Sequence, residues 1–413
     1  MMHTDTLSAA VASTASPIDV ELVRYADSLD CMQANLAVLA DVAHGSATEL
    51  RLGRRLHLRH RRGAGGLNTV EPTLAEQLAD ARDHLGLQVA HAQAGLTAGE
   101  LLGDLADGQP RFVVADAFDL AWTPYAGQRH MSHSFLVRRH PDGVELADAY
   151  VNDTPWGQAR PARWVVAAEQ FAELPARLEH ALVLVAVPLE PEVDQVELTE
   201  QAIEDYLTGL EAAAGTPAGL DALVLEAWLL SRARRLRAHW LAGRPGHDPA
   251  AIERHLQSWK LVCERIYLAQ RRAERGSTVP AGVFGMFASQ VRADLAVLAT
   301  TPPGAADARQ AVDPAAANTL PALDADHQAL LDVIATVLKI PAGDCAAASS
   351  LTELPGYSSL RLVQLVEALE SSFGIEFAAE DLDPVQLHDI GFLRRLLARQ
   401  APGPGSRTAE QAS

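Results

Sequence analysis

Cys31, His133 and Asp148 are residue types that can together activate a nucleophile, and Ser359 is one that can carry a covalent group. A cysteine nucleophile needs a base to take its proton and a carboxylate to fix the tautomer of that base. "DSLDCMQANLAVLADVAHG" sets Cys31 at the start of a helix, where unpaired amides and the helix dipole favour a thiolate over a thiol. In "HMSHSFLVRRHPDGVELADAY", His133 opens one apolar run and Asp148 lies near the end of the next. A hairpin about residues 141–143 brings the two to one sheet end. His130 is the alternative base, a substrate contact or a surface residue. Its spacing from His133, outside any evident helix and without a cysteine pair, is a poor metal pattern. Cys263 falls in an apolar helical stripe and Cys345 in a loop, so both read as structural.

The second chemical feature is "GYSSLRLVQLVEALESSFG", two serines between a glycine turn and an amphipathic helix. Leu362, Leu365, Val366, Leu369 and Phe373 make its apolar stripe, with Glu367 and Glu370 outside it. Ser358 can cap such a helix. Ser359, the next residue, is placed to bear a modification.

These residues need elements to hold them. A helix is expected over Asp30–Ala43, then a half-exposed strand within Leu50–His60. Further strands are expected at Leu85–Gln93, Arg111–Phe118, His133–His140, Gly143–Tyr150 and Ala181–Glu190. A leading helix with an antiparallel sheet behind it is an α+β unit over residues 20–195, after a flexible segment 1–19. Residues 196–299 turn helical, with Ile252, Leu256, Trp259, Cys263 and Ile266 on one stripe. "TTPPGAADARQAVDPAAANTLPA" reads as a linker over 300–322. A small helical bundle follows over 323–400, its helices expected at Asp324–Leu338, Ser359–Phe373 and near Pro384–Leu397. Residues 401–413 have the composition of a disordered tail.

Composition narrows the function. The formal charge of −19 argues against a nucleic-acid partner. No apolar run of about 18 residues exists, so no membrane span is expected, and the first residues lack the pattern of a secretory signal. Three scattered cysteines make no disulfide framework, which fits a reducing cytoplasm. From residue 324 to 400 there are 12 acidic side chains against five basic ones. Two arginine runs, at 51–62 and 232–237, are solvated faces or docking surfaces for that acidic bundle or its phosphate.

The bundle resembles an acyl carrier protein over residue 324 to about 400, through "LTELPGYSSLRLVQLVEALESSFGIEF". The resemblance implies that Ser359 attaches 4'-phosphopantetheine, that Leu360 is the motif leucine, and that Glu367 and Glu370 lie on the partner-recognition helix. Ser358 stands where the family usually has Asp. A phosphopantetheinyl transferase and an acyl-loading enzyme are implied partners.

Cysteine, histidine and aspartate in that order, on a helix and then a sheet, resemble papain-like folds. More closely, residues 20 to 190 resemble the butirosin biosynthesis protein H family, acyltransferases that move an acyl group from a carrier protein to an aminoglycoside amine. The resemblance rests on Cys31 opening the helix, on "VVADAFDLAWTPY" with Asp116, Asp119 and Tyr125, and on the paired histidines His130 and His133 with the aspartate after them. It departs in the arginine-rich "LRLGRRLHLRHRRGAGG" after the first helix, and in having the carrier fused to the enzyme. It implies a Cys31–His133–Asp148 triad, substrate contacts from Asp116, Asp119, Tyr125 and His130, and an amine acceptor receiving the acyl group from the chain's own carrier in natural-product biosynthesis. The Cys31 amide is the expected first oxyanion donor. Direct attack on the carrier thioester is the variant pathway. A thioesterase or peptidase with the same triad, and a non-catalytic scaffold presenting the carrier, are the competing functions.

Overall fold

The computed structural model describes residues 17–63, 65–105, 108–299 and 325–400. The expected linker 300–322 and tail 401–413 lie outside them, as does most of segment 1–19.

Helix α1 (Cys31–His44) leads the α+β unit. Short strands β1 (Arg55–Leu56), β2 (Arg61–Arg62) and β3 (Asn68–Thr69) come before α2 (Leu74–Leu85). Then follow β4 (Leu87–Leu96), α3 (Ala98–Asp104), β5 (Arg111–Asp116), β6 (Ser132–His140) and β7 (Gly143–Asp148). The small β8 (Asn152–Thr154), β9 (Gly157–Ala159) and β10 (Ala162–Val166), with α4 (Ala168–Ala172), β11 (Leu178–Ala186) and β12 (Gln195–Val196), complete the unit. Its main sheet has six antiparallel strands in the order β10-β7-β6-β5-β11-β4.

Both faces of the central strands are covered, which is why β5 reads as an unbroken apolar run over residues 112–115 rather than an alternating one. Phe112, Val114, Leu136 and Ala147 meet α1 on one face. Val113, Ala115, Phe135 and Val137 meet Leu101 of α3 and Phe171 of α4 on the other. Successive side chains of a strand point to opposite faces, so each strand feeds two cores at once.

The segment after α1 departs from the expected strand. Residues Thr48–Arg54 form a 3-10 helix, and only Arg55–Leu56 is extended. The alternation "LRLGRRL" is satisfied differently: Arg51 and Arg54 bury their guanidiniums on the carbonyls of Asp83, His84, Glu190 and Pro191. Gly53 lets the helix over Pro217–Leu241 approach; a Cβ there would stand 2.5 Å from the Leu236 carbonyl oxygen.

The helical region is α5 (Glu200–Glu211), α6 (Pro217–Leu241), α7 (Pro249–Glu274) and α8 (Val283–Leu298) around Tyr206, Trp240, Trp259, Ile266 and Phe287. Buried carboxylates tie it together: Asp294 takes Arg234, His255 and Trp259. Among the described helices none is long and apolar enough to cross a membrane.

The C-terminal bundle is α9 (Ala325–Leu338), α10 (Ala342–Cys345), α11 (Ser359–Phe373), α12 (Pro384–Leu387) and α13 (Ile390–Gln400). Its core, including Leu330, Ile334, Leu362, Val366, Leu369, Phe377 and Leu393, also takes Leu268 from α7. The bundle is therefore seated on α7.

Candidate active site and carrier serine

Asp30 caps α1, its carboxylate accepting from the Gln33 backbone N–H at 2.8 Å, and the Asp30 backbone N–H donates to Gln33 Oε1. Such a cap contributes about 1 kcal/mol. It also fixes Cys31 as the first residue of the helix, where backbone N–H groups lack intrahelical partners. Its thiol, 7% exposed, donates to the Ser132 carbonyl at 3.9 Å.

His133, next to Ser132, is fully buried. Its Nε2 lies 2.7 Å from Asp148 Oδ2, while Nδ1 is buried with no hydrogen-bond partner among the described residues. Burial opposes charge on the ring, but the charges of Asp148 and Cys31 outweigh it and raise His133 to about 10. Burial likewise pushes Asp148 upward, and its pairing with His133 reverses this, holding the carboxyl below its ordinary value. The Tyr150 amide donates to Asp148 Oδ1 at 3.0 Å. His133 is thus set beside the Asp148 carboxylate and Cys31, surroundings that favour its charged form.

Asn35 binds the parts together. Its Nδ2 lies 3.1 Å from the Cys31 carbonyl, 2.8 Å from the Ser134 carbonyl and 3.3 Å from Asp148 Oδ1. Its Oδ1 accepts from the Ala149 amide, and Ser134 Oγ donates to the Cys31 carbonyl. The sequence signal was a lone amide, one turn after Cys31, within an otherwise apolar helix face.

Tyr125, Tyr150, Met131, Ala159 and Trp228 pack around Cys31, giving the thiol an apolar, aromatic setting. Tyr125 and Tyr150 bring their hydroxyls within 3.4 Å, and Asn152 donates to Tyr125 at 3.0 Å. Arg232 of α6 binds the Leu29, Val151 and Asn152 oxygens and lies over the Trp228 ring. The helical region thereby supplies one wall of the site. A separate small cleft, lined by Trp122, Pro124, Arg160 and Trp164, reaches His133, Asp148 and Tyr150.

The other sequence candidates are placed differently. His130 is exposed, with Nδ1 at 2.6 Å from Asp116 Oδ2 and its ring stacked on Phe118 at 4.2 Å. Asp116 also accepts from the Phe118 and Met131 amides, so this pair clamps the loop between β5 and β6. Burial nudges the Asp116 carboxyl upward, but these hydrogen bonds hold it low. Asp119 is half-buried in the 3-10 turn Ala117–Asp119 and has no hydrogen bond to the triad among the described residues. Tyr125 does line the site.

At the carrier, Gly356 takes φ +77° and Ser358 caps α11 on the Arg361 amide. Ser359 is the first residue of that helix, half-buried, with its hydroxyl donating to Glu264 of α7 at 2.9 Å. Tyr357 donates to the same carboxylate at 3.1 Å, and His388 Nε2 lies 3.1 Å from its other oxygen. Ion pairs surround this contact: Arg271 with Glu367, Arg272 with Glu370 and Glu376, and Arg275 with Glu370. Among the described residues the two arginine runs at 51–62 and 232–237 make no hydrogen bond or ion pair with the bundle. Arg51, Arg54, Arg232, Arg234 and Arg237 are buried and bonded within the rest of the chain.

Residues 328–390 match the family described as the phosphopantetheine attachment site. No curated protein matches the chain. The C-terminal bundle is thus an acyl-carrier-type domain whose prosthetic group is 4'-phosphopantetheine. It gives the chain a role in handling acyl groups, with a phosphopantetheinyl transferase and an acyl-loading partner. The local chemistry suits the group, since a primary hydroxyl opens a helix whose N-terminal dipole favours a phosphodiester.

Proposed function

We propose that the chain is a cysteine acyltransferase of papain-like architecture, akin to the butirosin biosynthesis protein H family, serving a natural-product pathway in the cytoplasm. Ser359 is the attachment residue. When attached, the arm supplies a thiol that holds an acyl group as a thioester. The residues of this chain do the rest. His133, held by Asp148, takes or keeps the Cys31 proton. Cys31 attacks the thioester carbonyl, and the Cys31 amide at the helix start stabilises the oxyanion. His133 protonates the departing thiol, leaving an acyl–Cys31. An amine acceptor then attacks this acyl-enzyme, His133 accepts the amine proton, and an amide leaves with Cys31 restored.

The observation that supports this reading best is the buried His133 between Asp148 and Cys31, in a chain that carries its own phosphopantetheine domain. The aromatic packing of Tyr125, Tyr150 and Trp228 about the thiol favours transfer over hydrolysis, because it limits water at an acyl–Cys31. The test is intact mass of carrier-loaded protein with and without added amines. Wild type should release amide and Cys31→Ala should not, while acid released without amine would make the chain a thioesterase.

A further inference from the structure

Among the described residues the carrier serine is engaged by Glu264 of α7 and not by the residues packed about Cys31. Glu264 is 1% exposed and receives three donors from the carrier: Ser359 Oγ, Tyr357 Oη and His388 Nε2. We propose that the face of α7 around Glu264 is a seat for the unmodified carrier domain, and that attachment of phosphopantetheine to Ser359 releases the carrier from it. This rests on the phosphopantetheine role of the domain and not on the acyl-transfer reading.

The argument is one of charge and donor count. In the modification, Ser359 Oγ forms a bond to the β-phosphorus of coenzyme A, and the P–O bond to the nucleotide half breaks. Adenosine 3',5'-bisphosphate leaves, and the hydroxyl proton passes to the transferase's base. Ser359 then has no O–H to give Glu264, and a phosphodiester anion stands at the oxygen that was 2.9 Å from a buried carboxylate. Like charges at such range, in a poorly solvated place, repel strongly. The seat holds one nearby ammonium, Lys260, over the Tyr357 ring at 4.7 Å. His388 already serves both Tyr357 and Glu264.

The seat also ties up, through Glu264, the hydroxyl that a transferase must reach, so modification takes place on the undocked carrier and prevents its return. Modification thereby converts a carrier held on α7 into one released from it.

The experiment uses the full chain, unmodified and then fully modified with coenzyme A and a broad-specificity transferase, with intact mass confirming conversion. Hydrogen exchange is followed in peptides from residues 260–275 and 356–377, alongside the radius of gyration by small-angle scattering. Modification should raise exchange in both peptides about tenfold, equivalent to about 1.4 kcal/mol of lost seating, and enlarge the radius. Ser359→Asp, which adds charge without the arm, should open the seat of the unmodified chain. Glu264→Gln should leave the modified chain as protected as the unmodified one. Equal or greater protection after modification, or a closed seat in Ser359→Asp, would overturn the proposal and assign Lys260 and His388 as binders of the arm's phosphate. Should Glu264→Gln fail to fold, the Ser359→Asp comparison decides alone.

Discussion

Asn35 donates to Asp148 Oδ1 at 3.3 Å from the same Nδ2 that lies 3.1 Å from the Cys31 carbonyl. One amide on α1 thus sets the start of the Cys31 helix against the carboxylate end of the histidine pair. Asn35→Ala leaves the Ala149 amide and several oxygens unpartnered in a buried place, which costs about 1–3 kcal/mol. A lower melting temperature and an acyl-transfer kcat down about tenfold are expected, with carrier loading unchanged. Because Asn35 acts through Asp148, the His133 titration should also move, as imidazole NMR would show. An unmoved titration would reduce Asn35 to a packing residue.

The Asp148–His133 pair predicts a pH dependence of stability. His133 is raised to about 10, so its contribution is complete below the unfolded value near 6.5 and is lost as pH rises through 10. Asp148 is lowered from 3.8, so its contribution is present above that value and lost on acidification. Asp148→Asn should therefore lose most stability relative to wild type near about pH 5–6. The gap should narrow toward pH 10, as melting temperatures across that range would show. A gap that widens with pH would contradict the charged pair.

Arg272 is 1% exposed in its side chain and faces Glu370 and Glu376 from α7. Removing one member of a buried pair costs about 3–5 kcal/mol. Arg272→Ala should undock the unmodified carrier while the carrier stays folded. Small-angle scattering together with carrier methyl resonances reads both. A compact profile in that variant would mean that Leu268 and the Glu264 contacts suffice.

Delivery within one chain is expected, since carrier and Cys31 are covalently joined and tethering raises effective concentration. Mixed Cys31→Ala and Ser359→Ala chains should then be far less active at low concentration than wild type. Full activity in that mixture would place delivery between chains.

What was legible in the sequence was local or joined by a short turn. The Gly356 turn, the Ser358 cap and the stripe of α11 all lie within one helix and its entry. His133 and Asp148 were related by hairpin counting, and the register of β6 and β7, with His140 opposite Gly143, brings them together. Cys31 joins them only through tertiary packing of α1 on the sheet, which no spacing announces. The stretch at 48–54 misled because alternating leucine and arginine also suits a 3-10 helix whose guanidiniums reach carbonyls over 100 residues away. The docking arginines were missed for a related reason. Arg271, Arg272 and Arg275 look like an ordinary solvated helix end, and their partners lie about 100 residues further on.

The central claim is that Cys31 becomes acylated. Unmodified wild-type chain, given its acylated arm directly from an acyl-coenzyme A by a broad-specificity transferase, should be quenched in acid without an amine and digested for peptide mass spectrometry. The account predicts the acyl mass on the Cys31 peptide in wild type, its absence in His133→Ala, and retention on the Ser359 arm in Cys31→Ala. Acyl groups found only on the arm in wild type, with amide formation undiminished in Cys31→Ala, would contradict it.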